Sequence, residues 1–363
     1  MIAKCNKNSG MTEYIFPQIN YRKQKVMIKF TLYKMPFSIS DIAVYLPEGK
    51  VSNHDLAASF TDIDAEEIFK RTGIRSRRRT TEDFIMSDMV FEAAEILFKK
   101  NSGLREKIDT IILIGHGYDY KAPITAAILQ HRLQIKKSAL TIDLPHGCTG
   151  YINGLAVSKG LIDGGMSKHI LLLTGDTPSF VIDKNNVELQ SIFSDSGTAS
   201  YIEAKPELQY ENFVFGTDGS GAESLIVRRS SSRKPATTEY LNEGGRLNGL
   251  MEMNGTEIFL FAIKVVPALV KETLEKNNLT LDQIDYVVFH QANSFLLDVL
   301  RRKLKISKEK FFNDITETGN TVASTIPIAL KTCLDNGTIK KGMTVLLAGF
   351  GLGYTWGATV IKI

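Results

Sequence analysis

Three short polar segments hold residue types suited to nucleophilic chemistry on sulfur. Cys148 lies in Asp143-Leu144-Pro145-His146-Gly147-Cys148-Thr149-Gly150-Tyr151, after an apolar strand-like run and at the start of a small-residue helix pattern. A thiol in the first turn of a helix faces unpaired backbone N–H groups and the positive end of the macrodipole. Both favour the thiolate, the nucleophilic form of the side chain. Gly147 and Gly150 let a substrate come close to the backbone beside it. Phe289-His290-Gln291-Ala292-Asn293 closes a second strand-like run, and Thr318-Gly319-Asn320-Thr321 opens another helix-like one. Cysteine, histidine and asparagine delivered from three element ends form a catalytic layout. Each also has a structural alternative: a buried cysteine packs as a small hydrophobe, and a histidine ending a strand often serves the core.

The elements that would position these residues occur twice along the chain. Residues 108–116 and 284–290 share an Ile-Asp start, an apolar run and a polar exit. Each half then reaches a helix opening at a reactive residue, Cys148 in the first and Asn320 in the second. Each ends in another apolar strand, at residues 169–174 and 344–349. Apolar runs separated by helix-like segments predict parallel strands covered by helices on both faces. Helices are expected over 83–100 and 257–277, the second kinked or broken at Pro267. Residues 228–254 are polar and rich in Gly and Ser, so a loop excursion is expected there.

With 363 residues, 43% of them hydrophobic and 23% charged, the chain can bury a large core in one or two fused domains. Its formal net charge of +4 is too small to indicate nucleic-acid binding. There is no apolar stretch of spanning length and no h-region before a cleavage site, so neither a membrane span nor secretion is expected. Cys5, Cys148 and Cys333 have no metal-like spacing, which suits free thiols in a reducing cytoplasm. Dinucleotide-dependent redox chemistry has no support, because no Gly-x-Gly-x-x-Gly lies at a strand-to-helix junction. Residues 1–35, rich in Lys, Asn and Tyr, are expected to be a poorly packed extension, or to precede a true start at Met27 or Met35.

A series of further motifs links these segments. In chain order they are Tyr45-Leu46-Pro47-Glu48, Ser52-Asn53-His54-Asp55-Leu56, Arg71-Thr72-Gly73-Ile74-Arg75, the Cys148 segment, His290-Gln291-Ala292-Asn293, Gly319-Asn320-Thr321 and Gly349-Phe350-Gly351-Leu352-Gly353-Tyr354-Thr355-Trp356-Gly357. Together they resemble the β-ketoacyl-acyl carrier protein synthase III family of the thiolase-like superfamily, over nearly all the chain beyond the N-terminal extension. The resemblance implies an α/β fold, a layered α/β/α/β/α sandwich of two pseudo-symmetric halves. Residues 36–205 would carry the nucleophile, and 206–363 would carry His290 and Asn320.

The same resemblance implies that an acyl thioester loads Cys148 and that a malonyl thioester then decarboxylates against His290 and Asn320. These would be neutral donors to the enolate oxygen. The backbone N–H groups of Cys148 and Leu352 would form the oxyanion hole. Arg71 and Thr72 would stand at the mouth of the tunnel that admits the coenzyme A or carrier-protein arm. Phe259, Asn293 and Phe350 would also contact substrate, although Asn293 has a helix cap as its equal alternative. Arg302 and Lys303 would meet an acidic acyl carrier protein by electrostatic steering. The implied partners are acyl carrier protein, acyl-coenzyme A and a second copy in a homodimer. No bound cofactor is implied, since coenzyme A and phosphopantetheine thioesters are substrates. The alternative activity hands the Cys148-bound acyl group to an alcohol or amine, with His290 as base.

The pattern is broken at the docking surfaces. Glu67 replaces the aromatic residue common just before Arg-Thr-Gly-Ile; it cannot stack on adenine, and its charge disfavours a phosphate. Phe295 stands where an arginine is expected, and Leu352 stands where glycine is common. The Ala-rich lead-in to the nucleophile is Pro145-His146-Gly147, which adds an imidazole beside Cys148. Intact chemistry with altered docking surfaces predicts a specialised synthase whose acyl donor arrives on a carrier protein.

Overall fold

Alternation of side chains along the strands divides the core into layers. The computed structural model describes residues 37–60, 63–205, 212–229, 231–247 and 249–363, together with the backbone of the strands Ile2–Asn6, Met11–Ile15 and Phe30–Leu32. In Thr110–Ile114, Ile111 and Leu113 face one side with Leu171 and Leu173 of His169–Asp176, against helices Met86–Lys100 and Thr125–Arg132. Ile112, Ile114, Ile170 and Leu172 face the other side. There they share a cluster with Val288, Val345 and Leu347 of a second sheet, across helices Gly150–Asp163 and Thr325–Asp335. A period of two with both faces apolar is the signature of a fully covered strand. Val287, Phe289, Leu346 and Ala348 turn to a third cluster, beneath helices Gly255–Lys276 and Ser294–Lys303. Helix, sheet, helix pair, sheet and helix thus stack as the expected sandwich.

The two sheets repeat one topology. The first runs Phe37–Tyr45, Ser196–Ala204, His169–Asp176, Thr110–Ile114, Leu140–Leu144 in spatial order, with two antiparallel pairings followed by two parallel ones. The second runs Phe213–Thr217, Thr355–Lys362, Thr344–Gly351, Tyr286–Phe289, again antiparallel, antiparallel, parallel. A parallel bridge from Val287 to Phe311 stands where a fifth strand would pair. Cys148 and Asn320 each lie between that fifth position and a central helix.

Three local expectations need correction. The helix expected from residue 83 begins at Met86, where Asp88 accepts from the N–H of Ile85 at 3.0 Å. The long helix Gly255–Lys276 is unbroken through Pro267. Proline removes the N–H that would bond the Ile263 carbonyl, and Nζ of Lys303 donates to that carbonyl at 2.9 Å. A cation from the neighbouring helix therefore satisfies the orphaned acceptor and lets the helix continue. The 228–254 excursion holds a short helix, Thr238–Asn242, and its last residues pair as Met251–Met253 with Leu225–Val227.

The N-terminal extension lies outside the described residues, apart from the backbone of its three strands, which pair antiparallel in chain order. Residues 206–211, at the expected boundary between the halves, also lie outside them. No described helix is long and apolar enough to cross a membrane.

Candidate active site

A single cavity of about 780 Å³ gathers most of the residues singled out by sequence. Arg71, Thr72, Cys148, Phe259, His290, Asn293, Asn320 and Phe350 all line it; Leu352, Arg302 and Lys303 do not. Cys148, His290, Asn320 and Phe350 are buried, whereas Phe295, a further lining residue, is 57% exposed and marks the mouth.

Cys148 sits one step outside the helix it was expected to open. Thr149 is the cap of Gly150–Asp163, and the N–H of Gly150 closes a turn onto the Gly147 carbonyl at 2.7 Å. The thiol is 6% exposed and packs with Ile182, Leu189, Phe193 and Val322. Burial pushes it up to about 12, and the negative charge of Asp176 adds to that rise. The backbone N–H groups of Leu352 and of Cys148 itself oppose the rise. The expected low-pKa thiol is therefore not the resting state, because desolvation outweighs the N–H groups. Leu352 keeps an ordinary backbone conformation, its φ lying outside the left-handed region.

His290 follows the strand Tyr286–Phe289, and its N–H bonds the Ala348 carbonyl at 2.8 Å. Its Nδ1 lies 2.7 Å from Oγ1 of Thr325, and the ring packs edge-on against Phe350 with centroids 5.8 Å apart. Burial lowers its pKa to about 3, with the Val322 carbonyl opposing, so the imidazole is neutral. Asn320 is held at both backbone ends, its N–H bonding Ile192 and its carbonyl accepting from Ser194, each at 2.9 Å. Its Oδ1 accepts from the N–H of Val322 at 2.9 Å. That fixes the amide orientation and leaves Nδ2 as a free-facing donor. Val322 adopts φ +55°, a left-handed conformation uncommon for a β-branched residue. Asn320 holds its N–H there, and Oγ1 of Thr325 lies 3.2 Å from its carbonyl oxygen.

The cations singled out by sequence are already engaged. Arg71 forms an ion pair with Glu67 one turn earlier. Arg302 pairs with Asp298 at 2.9 Å, Arg301 pairs with the same carboxylate at 2.7 Å, and Lys303 serves the Ile263 carbonyl. Phe295 stacks on Phe259 with centroids 5.8 Å apart. Asn293 caps Ser294–Lys303 by accepting from the Leu296 N–H at 2.8 Å, and it also lines the cavity. Thr72 donates to the Ile68 carbonyl at 2.7 Å.

Sequence reasoning missed Thr325, Asp176, Glu188 and Val322. Asp176 accepts from the N–H of His116 at 3.0 Å and of Ala323 at 3.4 Å, tying the two halves together beside the thiol. Glu188 lines the cavity. Thr325, shortly after Asn320 on the same small-residue run, was within reach of a spacing argument. Val322 lies on that same run, whereas Asp176 ends the strand His169–Asp176 and Glu188 sits on the helix Val187–Ile192, and neither carries a local signal.

A five-layered sandwich whose central helices bring a thiol and a carboxamide to one cavity defines the thiolase-like class. The sequence profile for 3-oxoacyl-[acyl-carrier-protein (ACP)] synthase III matches residues 142–219, and the profile for its C-terminal part matches 274–363. The chain is 35% identical to the β-ketoacyl-[acyl-carrier-protein] synthase III of Clostridium tetani (strain Massachusetts / E88) over 88% of this chain and 96% of that one. A crystal structure of a 3-oxoacyl-(acyl-carrier-protein) synthase III is 38% identical with a TM-score of 0.87, covering 90% of this chain and 99% of that one. The priming β-ketosynthase of the R1128 polyketide biosynthetic pathway is 26% identical with a TM-score of 0.82, covering 91% and 97%. The chain belongs to the 3-oxoacyl-[acyl-carrier-protein] synthase III family and is an acyltransferase of the condensing type.

Proposed function

We propose that Cys148 accepts an acyl group from a thioester and that His290 and Asn320 then support decarboxylative condensation with a malonyl thioester. In the first step a bond forms between Sγ and the acyl carbon, and the carbonyl oxygen gathers charge against the N–H groups of Cys148 and Leu352. The departing carrier thiolate takes the proton that Cys148 gives up. In the second step the malonyl carboxylate leaves as carbon dioxide, and its bonding electrons enter an enolate held by Nδ2 of Asn320 and Nε2 of His290. The enolate carbon attacks the acyl carbon, and Cys148 departs with its bonding electrons and regains a proton. One observation carries this reading: an uncharged thiol, imidazole and carboxamide line one buried end of a single cavity. Such a site opposes isolated charge and favours steps in which charge appears only against fixed donors.

The reading extends to substrates and assembly. An imidazole with a pKa near 3 is a poor base toward an alcohol or amine, which supports condensation over simple transfer. Arg71 tied to Glu67, Glu188 in the lining and the Phe259–Phe295 stack supply little for a nucleotide phosphate. They favour an acyl donor on acyl carrier protein over acyl-coenzyme A, and with it a specialised synthase. Arg302 and Lys303 would serve that carrier only through what their internal bonds leave free. The sheet edge Leu140–Leu144, which leads to Cys148, supports pairing with a second copy in a homodimer. The enzyme is proposed to work without a bound cofactor, and its free thiols Cys148 and Cys333 suit the cytoplasm.

The test is intact-protein mass spectrometry after incubation with acyl thioesters on carrier protein and on coenzyme A, with Cys148→Ala as control. An adduct on the wild type alone, greater from carrier than from coenzyme A, is expected. Malonyl carrier protein should then release carbon dioxide and clear the adduct. Clearance by an alcohol or amine without carbon dioxide would replace condensation by transfer.

A further inference from the structure

A fully buried cation sits behind the turn that carries Asn320. Arg77, on the strand Ser76–Arg79, is 0% exposed. Its Nη2 donates to Oδ1 of Asn53 at 2.6 Å and to the Ser191 carbonyl at 3.0 Å, and its Nη1 donates to the Val51 carbonyl at 3.4 Å. Asn53 is itself fixed, because its Nδ2 donates to the carbonyls of Ile74 at 2.7 Å and Ala65 at 3.1 Å. Among the described residues the hydrogen-bond partners of Arg77 are all uncharged, and its Nε has none. Burial, with the charge of Arg79 adding, lowers its pKa to about 10, so the guanidinium stays protonated at neutral pH. A charge buried without a counter-charge is costly for stability. What Arg77 supplies is position.

The segment that Arg77 holds is the one that holds Asn320. Ser191 directly precedes Ile192, whose carbonyl accepts the Asn320 N–H, and Ser194 donates back to the Asn320 carbonyl. The strand grips this segment again one residue on. The Arg78 N–H donates to Oγ of Ser194 at 2.6 Å, and the Arg78 carbonyl accepts from the Asp195 N–H at 3.0 Å. On the other side of the turn, the N–H groups of Arg75 and Ser76 share the Thr316 carbonyl at 2.8 and 3.1 Å. A Cβ on Gly319, whose φ is +62°, would stand 3.0 Å from the Ile192 carbonyl oxygen, 3.3 Å from Cβ of Ser194 and 3.4 Å from Cβ of Arg77. The residue before Asn320 is thus seated directly on Arg77 and the segment it grips.

We propose that Arg77 is a positioning residue for the decarboxylation step, locking residues 191–194 so that the Asn320 amide meets the enolate oxygen. The proposal rests on the role given to Asn320 above. The planar fork of Arg77 reaches Asn53 and Ser191 from one nitrogen and Val51 from the other, a geometry that a lysine ammonium does not reproduce. Ser194 is the second tie, since its Oγ joins the strand to the same segment.

The test compares acylation of Cys148 by acetyl carrier protein with carbon dioxide release from malonyl carrier protein, both at saturating carrier. It uses the wild type, R77K and S194A, with circular dichroism confirming folding. R77K should lower kcat for carbon dioxide release by roughly tenfold to a hundredfold, the scale of a misplaced reacting geometry, and leave acylation in place. S194A should act in the same direction by roughly threefold to tenfold, the scale of one hydrogen bond, and carries the test alone if R77K does not fold. In an N320A background neither substitution should slow the remaining release further. Unchanged release in both variants, equal losses of release and acylation, or the same loss with Asn320 removed would overturn the role of Arg77. A wild type that is acylated but releases no carbon dioxide would instead remove the condensation reading and this role with it.

Discussion

Oγ1 of Thr325 lies 2.7 Å from Nδ1 of His290 and 3.2 Å from the Val322 carbonyl oxygen. One hydroxyl proton cannot serve both. If it goes to Nδ1, the ring carries its own proton on Nε2 and can donate to an enolate; if it goes to the carbonyl, Nε2 offers a lone pair. Thr325 is therefore a positioning residue that selects the tautomer of His290.

Removing that hydroxyl should damage the step that needs an Nε2 donor. Thr325→Val is expected to lower kcat for malonyl decarboxylation by roughly tenfold to a hundredfold, the scale of a buried hydrogen bond left unmade. KM should change little, and Thr325→Ser should recover most of the rate. Steady-state carbon dioxide release checks this; a rise in KM at constant kcat would contradict it.

Burial of His290 also predicts acid sensitivity. Its pKa is lowered from the ordinary 6.5 to about 3. Between those values the unfolded chain binds a proton that the folded protein does not. Stability present above pH 6.5 is therefore lost as pH falls toward 3. By pH 4.5 the loss is on the order of 3 kcal/mol. Between pH 7.5 and 4.5, thermal melting should fall further in the wild type than in His290→Gln, and equal falls would refute the buried neutral ring.

Asp176 raises the pKa of Cys148 by its charge while bonding the N–H groups of His116 and Ala323. Asp176→Asn keeps an acceptor oxygen and removes the charge. Alkylation of Cys148 by iodoacetamide at pH 8.5 should become roughly two- to tenfold faster, reflecting a pKa lower by up to about one unit. Slower alkylation would mean that the carboxylate acts chiefly by holding the loop.

Glu67 engages Arg71 at the cavity mouth. Glu67→Gln should free that guanidinium for phosphate and lower KM for acetyl-coenzyme A by roughly threefold at low salt, since an exposed pair is worth little. The effect should vanish at high ionic strength. A KM independent of both substitution and salt would show that Arg71 does not meet the nucleotide.

Cys148, His290 and Asn320 were legible in the sequence because strand exits and helix openings announce themselves locally, through apolar runs that stop at polar residues. The repeated Ile-Asp runs made the doubled topology visible for the same reason, while the layered sandwich followed from the family resemblance. The environment of those groups was not legible. Helix position alone suggested a thiolate, yet burial among Ile182, Leu189 and Phe193 decides for the thiol. Basic residues that looked available at 71, 302 and 303 are bound to Glu67, Asp298 and the Ile263 carbonyl. The sequence by itself determined which groups the protein owns and the order in which its elements deliver them, since both are set by short-range pattern. Their charge state, the partner of each cation and the buried seat of Arg77 were decided only by tertiary structure, because desolvation and hydrogen bonding depend on what distant segments bring within a few ångströms.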